Sequence, residues 1–158
     1  MHQGEELAHV IFPLEVNDGW PPVSAERVWA EPLGSNSYRI ANAPWFVTGI
    51  SEGDIVRAFP LTIDSHPVYS ERLQWSGNYT VRVIPTKEGP LQGDVRPTLE
   101  AFKGLGVTGE IANAYRLVAI TISADADLGR VKTLLMDGER DGRWHFEEGC
   151  IDVRWREA

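Results

Sequence analysis

The chain has 158 residues, 42% of them hydrophobic and 24% charged, enough to bury a real core in one medium domain or two small ones. Its net charge of −8 and lack of a basic stripe argue against binding nucleic acid, whose phosphates call for Lys and Arg. A lone cysteine, Cys150, cannot form an intrachain bridge, no stretch approaches the apolar length of a membrane span, and the opening MHQGEELAHV lacks a signal segment; a cytoplasmic protein is expected.

The charge is uneven. Residues 1–76 hold ten acids against four Lys and Arg, a net −6; residues 77–158 hold thirteen against eleven, a net −2. The boundary in charge is also a boundary in pattern. Residues 1–76 read as short strands between polar turns: AHVIFPLEV, whose Pro13 suits an edge, then AERVWAEPLG, YRIANAP, DIVRAF and PVYSERLQWSG. In the last of these Val68, Leu73 and Trp75 are expected to point inward. Strands about ten residues apart predict a small antiparallel β-barrel or sandwich.

Residues 77–158 alternate strands with helices. NYTVRVIP (78–85) is a strand, DVRPTLEAFKGLG (94–106) a helix capped by Asp94 with Leu99, Phe102 and Leu105 on one face, and VTGEIAN a short strand. YRLVAITIS (115–123) is a strong strand. A helix from about Asp125 to Asp141 follows, with Leu128, Val131, Leu134 and Leu135 inward and Gly138 or Gly142 as its stop; RWHFEEGCIDV closes the unit. The whole is predicted to be α+β, a barrel-like first part followed by a ferredoxin-like βαββαβ unit with its first and third strands central. LVAITI, without alternation, implies burial on both faces of the sheet.

The stretch WHFEEGC gathers His145, Glu147, Glu148 and Cys150. Strand alternation sets Trp144, Phe146, Glu148 and Cys150 on one face and His145, Glu147 and Gly149 on the other. Cys150 could join His145 only if Gly149 formed a bulge, so Cys150 reads as a small buried hydrophobe rather than a nucleophile. His145 and Glu147 share a face with Arg82 of the neighbouring strand, and these three form the first candidate ligand-binding patch. Asp54 in the EGD turn and Trp45 in NAPWFVTGISEGD complete the candidate set; exposed rings at Trp45 and Phe46 would mark a contact surface.

Other chemistries find no support in the spacing. His2, His9, His66 and His145 are scattered and predict no metal site, and DADLGRVKTLLMDGERDG does not match a calcium loop. Gly104, Gly106 and Gly109 spell G-x-G-x-x-G, but after a helix and before a strand, the reverse of the dinucleotide context, and no cofactor is expected. No G-x-S-x-G elbow occurs.

VWAEPLGSNSYRIANAPWFVTGISEGDIVRA together with GRWHFEEGC resembles a bacterial, largely actinobacterial, family, the domain of unknown function DUF4265. The resemblance spans about residues 24–150. It implies a bacterial cytosolic origin and brings no cofactor or activity. Members often carry SGHS where this chain has SGNY, so no histidine role carries over to Asn78 or Tyr79. The expectation is a non-enzymatic binding or regulatory module that holds a protein partner or a small polar ligand at the junction of barrel and sheet. The alternatives are an enzyme with a dispersed acid–base site at Arg82, His145, Glu147 and Asp54, and a homodimer joined through the apolar sheet face.

Overall fold

The computed structural model describes residues 6–158, so His2 lies outside the described residues. The chain is mixed α+β and divides into two compact units, one ending at Ser76 and one spanning Gly77–Ala158.

In the first unit β1 (Ala8–Pro13), β2 (Ala25–Gly34), β3 (Ser37–Ile40), β4 (Ile55–Pro60) and β5 (Pro67–Gln74) close a barrel in sequence order. Alternation sends Val10 and Phe12 of β1, Val28 and Ala30 of β2 and Val56 and Ala58 of β4 inward, where Val47 and Ile50 of the β3–β4 connection join them. The β2–β3 turn consists of Ser35 and Asn36, both at positive φ (55° and 60°), the two-residue geometry whose twist matches that of the strands it joins.

Two details differ from the sequence reading, each for a simple reason. The barrel is not antiparallel throughout: β1 pairs with β5 in parallel at Ile11 and Val68. Five strands in an up-and-down order leave the first and last pointing the same way, so closure requires one parallel seam. Val68 and Leu73, both expected inside, point outward: Val68 pairs with the outward-facing Ile11 and Phe59, Leu73 is exposed, and Tyr69 packs against the core instead. The β4–β5 register shifts twice, between Ile55 and Val56 and between Arg57 and Ala58, so Leu73 and Ser70 fall between paired positions and the simple alternation is lost.

The second unit runs β6 (Tyr79–Pro85), α1 (Val95–Glu100), β7 (Val107–Ala112), β8 (Leu117–Ile122), α2 (Leu128–Arg140), β9 (Trp144–Cys150) and α3 (Val153–Glu157). Its sheet has the order β7-β8-β6-β9 with every pairing antiparallel, which puts β6 and β8 in the middle. All six residues of β8 are buried, as a strand covered on both faces requires.

Asp94 caps α1 by accepting from the Arg96 N–H at 3.0 Å, but the helix stops at Glu100, six residues short of the predicted end. Residues 101–106 form turns, with Gly104 and Gly106 at positive φ, and Phe102 is buried from a turn rather than from a helix. Helix α2 begins after Asp127, whose carboxylate accepts from Arg130 N at 3.1 Å. Of the two glycines expected to stop it, Gly142, at φ 77° directly after the Asp141 cap, does so, and Gly138 does not. Gly138 lies inside the helix because the Trp144 indole rests on it: a Cβ there would sit 2.1 Å from Trp144 Cε2. Trp144 Nε1 donates to Leu135 O at 3.0 Å, so the ring is both packed and satisfied. Helix α3 was not predicted; Asp152 caps it through Trp155 N at 3.1 Å. Lys132 of α2 donates to the carbonyls of Trp155 and Ala158, a cation at a helix C-terminus.

Candidate functional site

WHFEEGC is the edge strand β9, and Gly149 does form a bulge. Val81 of β6 faces Glu148, yet Thr80 faces Cys150, which leaves Gly149 as the extra residue. The bulge reverses the face of Cys150. It now shares the Arg82 side of the sheet, against the expectation of strict alternation, and remains buried.

Arg82 and Glu147 are brought together as predicted from strand pairing. They are register partners, and Arg82 Nε donates to Glu147 Oε1 at 2.9 Å. Arg82 is almost wholly buried while Glu147 is about a third exposed. The Arg82 guanidinium lies over Gly149, where a Cβ would be 2.5 Å from Nη1; the glycine makes room for the cation. Glu110 of β7, Ala119 of β8, Arg82 of β6 and Glu147 of β9 occupy one rung across all four strands. His145 does not join them. Its imidazole is mostly exposed, and Nδ1 lies 3.8 Å from Glu139 Oε2 of α2. The cluster thus holds a charge pair at its centre, with the histidine set apart at the outer end of the strand.

Asp54 and Trp45 belong to the barrel. Asp54 is fully buried, and its carboxylate accepts from Ser51 N at 2.9 Å and Ser76 N at 2.7 Å, with Arg72 Nη1 3.6 Å away. Burial raises its pKa, and the two backbone N–H bonds and Arg72 oppose the rise. The same device recurs at Glu26, which spacing did not single out. Its buried carboxylate accepts from the N–H groups of Trp45 (2.6 Å), Phe46 (2.9 Å) and Val47 (3.1 Å). Those bonds fix the loop that carries Trp45. The exposed ring pair considered for this loop is not formed: Phe46 is buried, with Trp20 edge-on at 5.6 Å, and Trp45 is half-buried with its indole N–H unpartnered.

Exposed apolar rings and chains occur elsewhere on the barrel. Opposite its inward-facing residues, Trp29 of β2 faces His9 of β1, Ile11 of β1 faces Val68 of β5, and Val68 faces Phe59 of β4. This outer stripe crosses four strands. Trp29 is 47% exposed and stacks on His9 with ring centroids 3.8 Å apart; His66 meets His9 edge-on at 5.4 Å. The stripe continues into the β4–β5 turn. There Ser65 N donates to Thr62 O at 3.1 Å and Thr62 N to Ser65 Oγ at 3.0 Å, a closed turn with Ile63 at its apex. Leu61 is 80% and Ile63 95% exposed. Sequence reasoning passed over this stretch, LTIDSH, because polar turns are the rule; two aliphatic residues in a turn were the available signal. His9 titrates below its ordinary value, through burial and then the neighbouring charges of Arg27 and His66, so it is neutral at pH 7 and the stripe stays apolar there.

Among the described residues no helix is long and apolar enough to cross a membrane. Residues 26–146 match the family described as Domain of unknown function (DUF4265). Among curated proteins none matches the chain. Among solved structures the chain is similar to a hypothetical protein from Neisseria gonorrhoeae, at 16% identity and a TM-score of 0.71, over 97% of this chain and 99% of that one. That likeness is one of fold.

Proposed function

The chain belongs to the family of domain of unknown function DUF4265, and on that premise we propose that it is a non-enzymatic protein-binding module that docks its partner on the outer stripe of the barrel. The observation that carries this reading is the closed turn at residues 62–65, which holds Leu61 and Ile63 out in water. Exposed aliphatic side chains on an ordered turn, continuous with Phe59 and Trp29, make an apolar patch of the kind that marks a protein contact. The net charge of −6 on residues 1–76 favours a partner with a basic rim around an apolar centre.

The same reading takes the second unit as ferredoxin-like, which its βαββαβ element order and the β7-β8-β6-β9 strand order support. It takes the protein as bacterial and cytoplasmic, in keeping with a single buried thiol. Arg82 has the structural role of an ion pair over Gly149.

A photo-crosslinking amino acid in place of Ile63 tests the proposal in native cytosol. The expected result is one dominant adduct with a basic protein, absent when the crosslinker replaces the exposed Met136 of α2. No adduct at position 63, or the same set of adducts at both positions, would overturn it.

A further inference from the structure

The sheet of the second unit has two edges, and they are protected very differently. The β9 edge carries the bulge at Gly149 and the charges of Glu147 and Glu148, devices that discourage pairing with another strand. The β7 edge, VTGEIA, has a regular register along its whole length and no proline, lysine or bulge.

Its main chain is also oriented for pairing. Ser123 N donates to Gly106 O at 3.1 Å, one step before the Val107–Ile122 pair. Hydrogen-bonded and non-hydrogen-bonded pairs alternate along an antiparallel ladder. Thr108, Glu110 and Ala112 therefore bond to β8, while the N–H and C=O groups of Val107, Gly109 and Ile111 point away from the sheet. Beside that edge Leu99, Glu100 and Lys103 of α1 and its following turn, with Val107, Thr108 and Gly109, line a largely apolar groove of 350 Å³. Gly109 keeps the groove low: a Cβ there would lie 2.5 Å from Leu99 Cδ1.

We propose that two copies of this chain pair β7 to β7, antiparallel across a two-fold axis at Gly109, and continue the sheet through both copies. The strand is complementary to itself in that register. Val107 of one copy faces Ile111 of the other on the helix side, and Gly109 faces Gly109, where the two Leu99 side chains meet over the gap. On the opposite side Thr108 faces Glu110, so no like charges are opposed. A peptide of another protein could use the same edge, but only a second copy is required to match on both faces at once.

Sedimentation equilibrium of the full chain over a range of concentrations tests this, with Thr108 as the probe because its side chain is exposed. The expected species is twice the 17.6 kDa chain mass, in equilibrium with monomer. Thr108→Glu opposes Glu110 in two symmetric pairs and should weaken the dimer about tenfold; Thr108→Lys should tighten it about threefold. Circular dichroism identical to wild type would show that both variants remain folded. A monomer at every concentration would overturn the proposal, as would a dimer that both substitutions leave unchanged or shift in the same direction.

Discussion

The two units handle a β-sheet's exposed surfaces in opposite ways. The barrel has no free edge, because β1 and β5 close it, but its outer side carries Trp29, Phe59, Leu61 and Ile63 in water. The second unit buries its largest rings, Trp144, Trp155, Tyr79 and Phe102, and leaves β7 as an open strand. Tryptophan shows the contrast best: Trp20 and Trp29 of the barrel are exposed, whereas both tryptophans of the second unit are fully buried. The barrel core takes Phe12, with Tyr38 and Tyr69 packed against it, but none of the unit's tryptophans. The core of the two-layer α/β unit takes both of its own. One unit is therefore suited to recognition through side chains, the other through main chain.

The largest expected effect breaks the second unit's core. Gly138→Val drives a branched side chain into the Trp144 indole and should cost about 3 kcal/mol in chemical denaturation. A cost below about 1 kcal/mol would mean that the ring can move aside, and that the glycine is not there for close packing.

That position shows where sequence reading succeeds and where it stops. The strands, the two longer helices and the Arg82–Glu147 contact were legible, because period, caps and pairing are local. Of the two glycines offered as the helix stop, Gly142 serves, but Gly138 lies inside the helix, since nothing local reveals that a tryptophan six residues on will rest on it. The face of Cys150 was misassigned for the same kind of reason: one extra residue at Gly149 reverses all that follows. The separation of His145 from Glu147 depends on Glu139 in a different element. The outer stripe needs four strands in register before its members become neighbours, and no window of sequence contains them.

A smaller effect is expected at the ion pair. Glu147→Gln removes one charged partner of a buried guanidinium, but the carboxylate is partly solvated, so a loss of about 1–2 kcal/mol is expected, and Arg82→Met in the same chain should recover part of it. A double variant no more stable than Glu147→Gln alone would contradict this account of the pair.

Asp54 gives a pH signature confined to the barrel. Its pKa is raised in the folded chain above the ordinary 3.8, so folding favours its protonated form. Its contribution is full below the unfolded pKa and is lost as pH rises through the folded value. Melting temperatures of wild type and Asp54→Asn, followed upward from pH 3.8, should therefore diverge, with only the wild type losing this component. Parallel curves would remove Asp54 from the pH response.

The smallest effect on stability is the most informative about function. Leu61→Ser with Ile63→Ser should leave stability within about 0.5 kcal/mol of wild type, since both side chains are already in water. A clear loss would mean that the turn supports the fold rather than a partner.

The most direct test of the whole account is quantitative co-purification of three tagged chains from an extract of the native cells: wild type, the Leu61→Ser and Ile63→Ser double variant, and Thr108→Glu. The account predicts a stoichiometric basic protein with wild type and with Thr108→Glu, and its loss from the double variant alone. Equal recovery of that protein with the double variant, or its loss from Thr108→Glu instead, would contradict the assignment of recognition to the barrel's outer stripe.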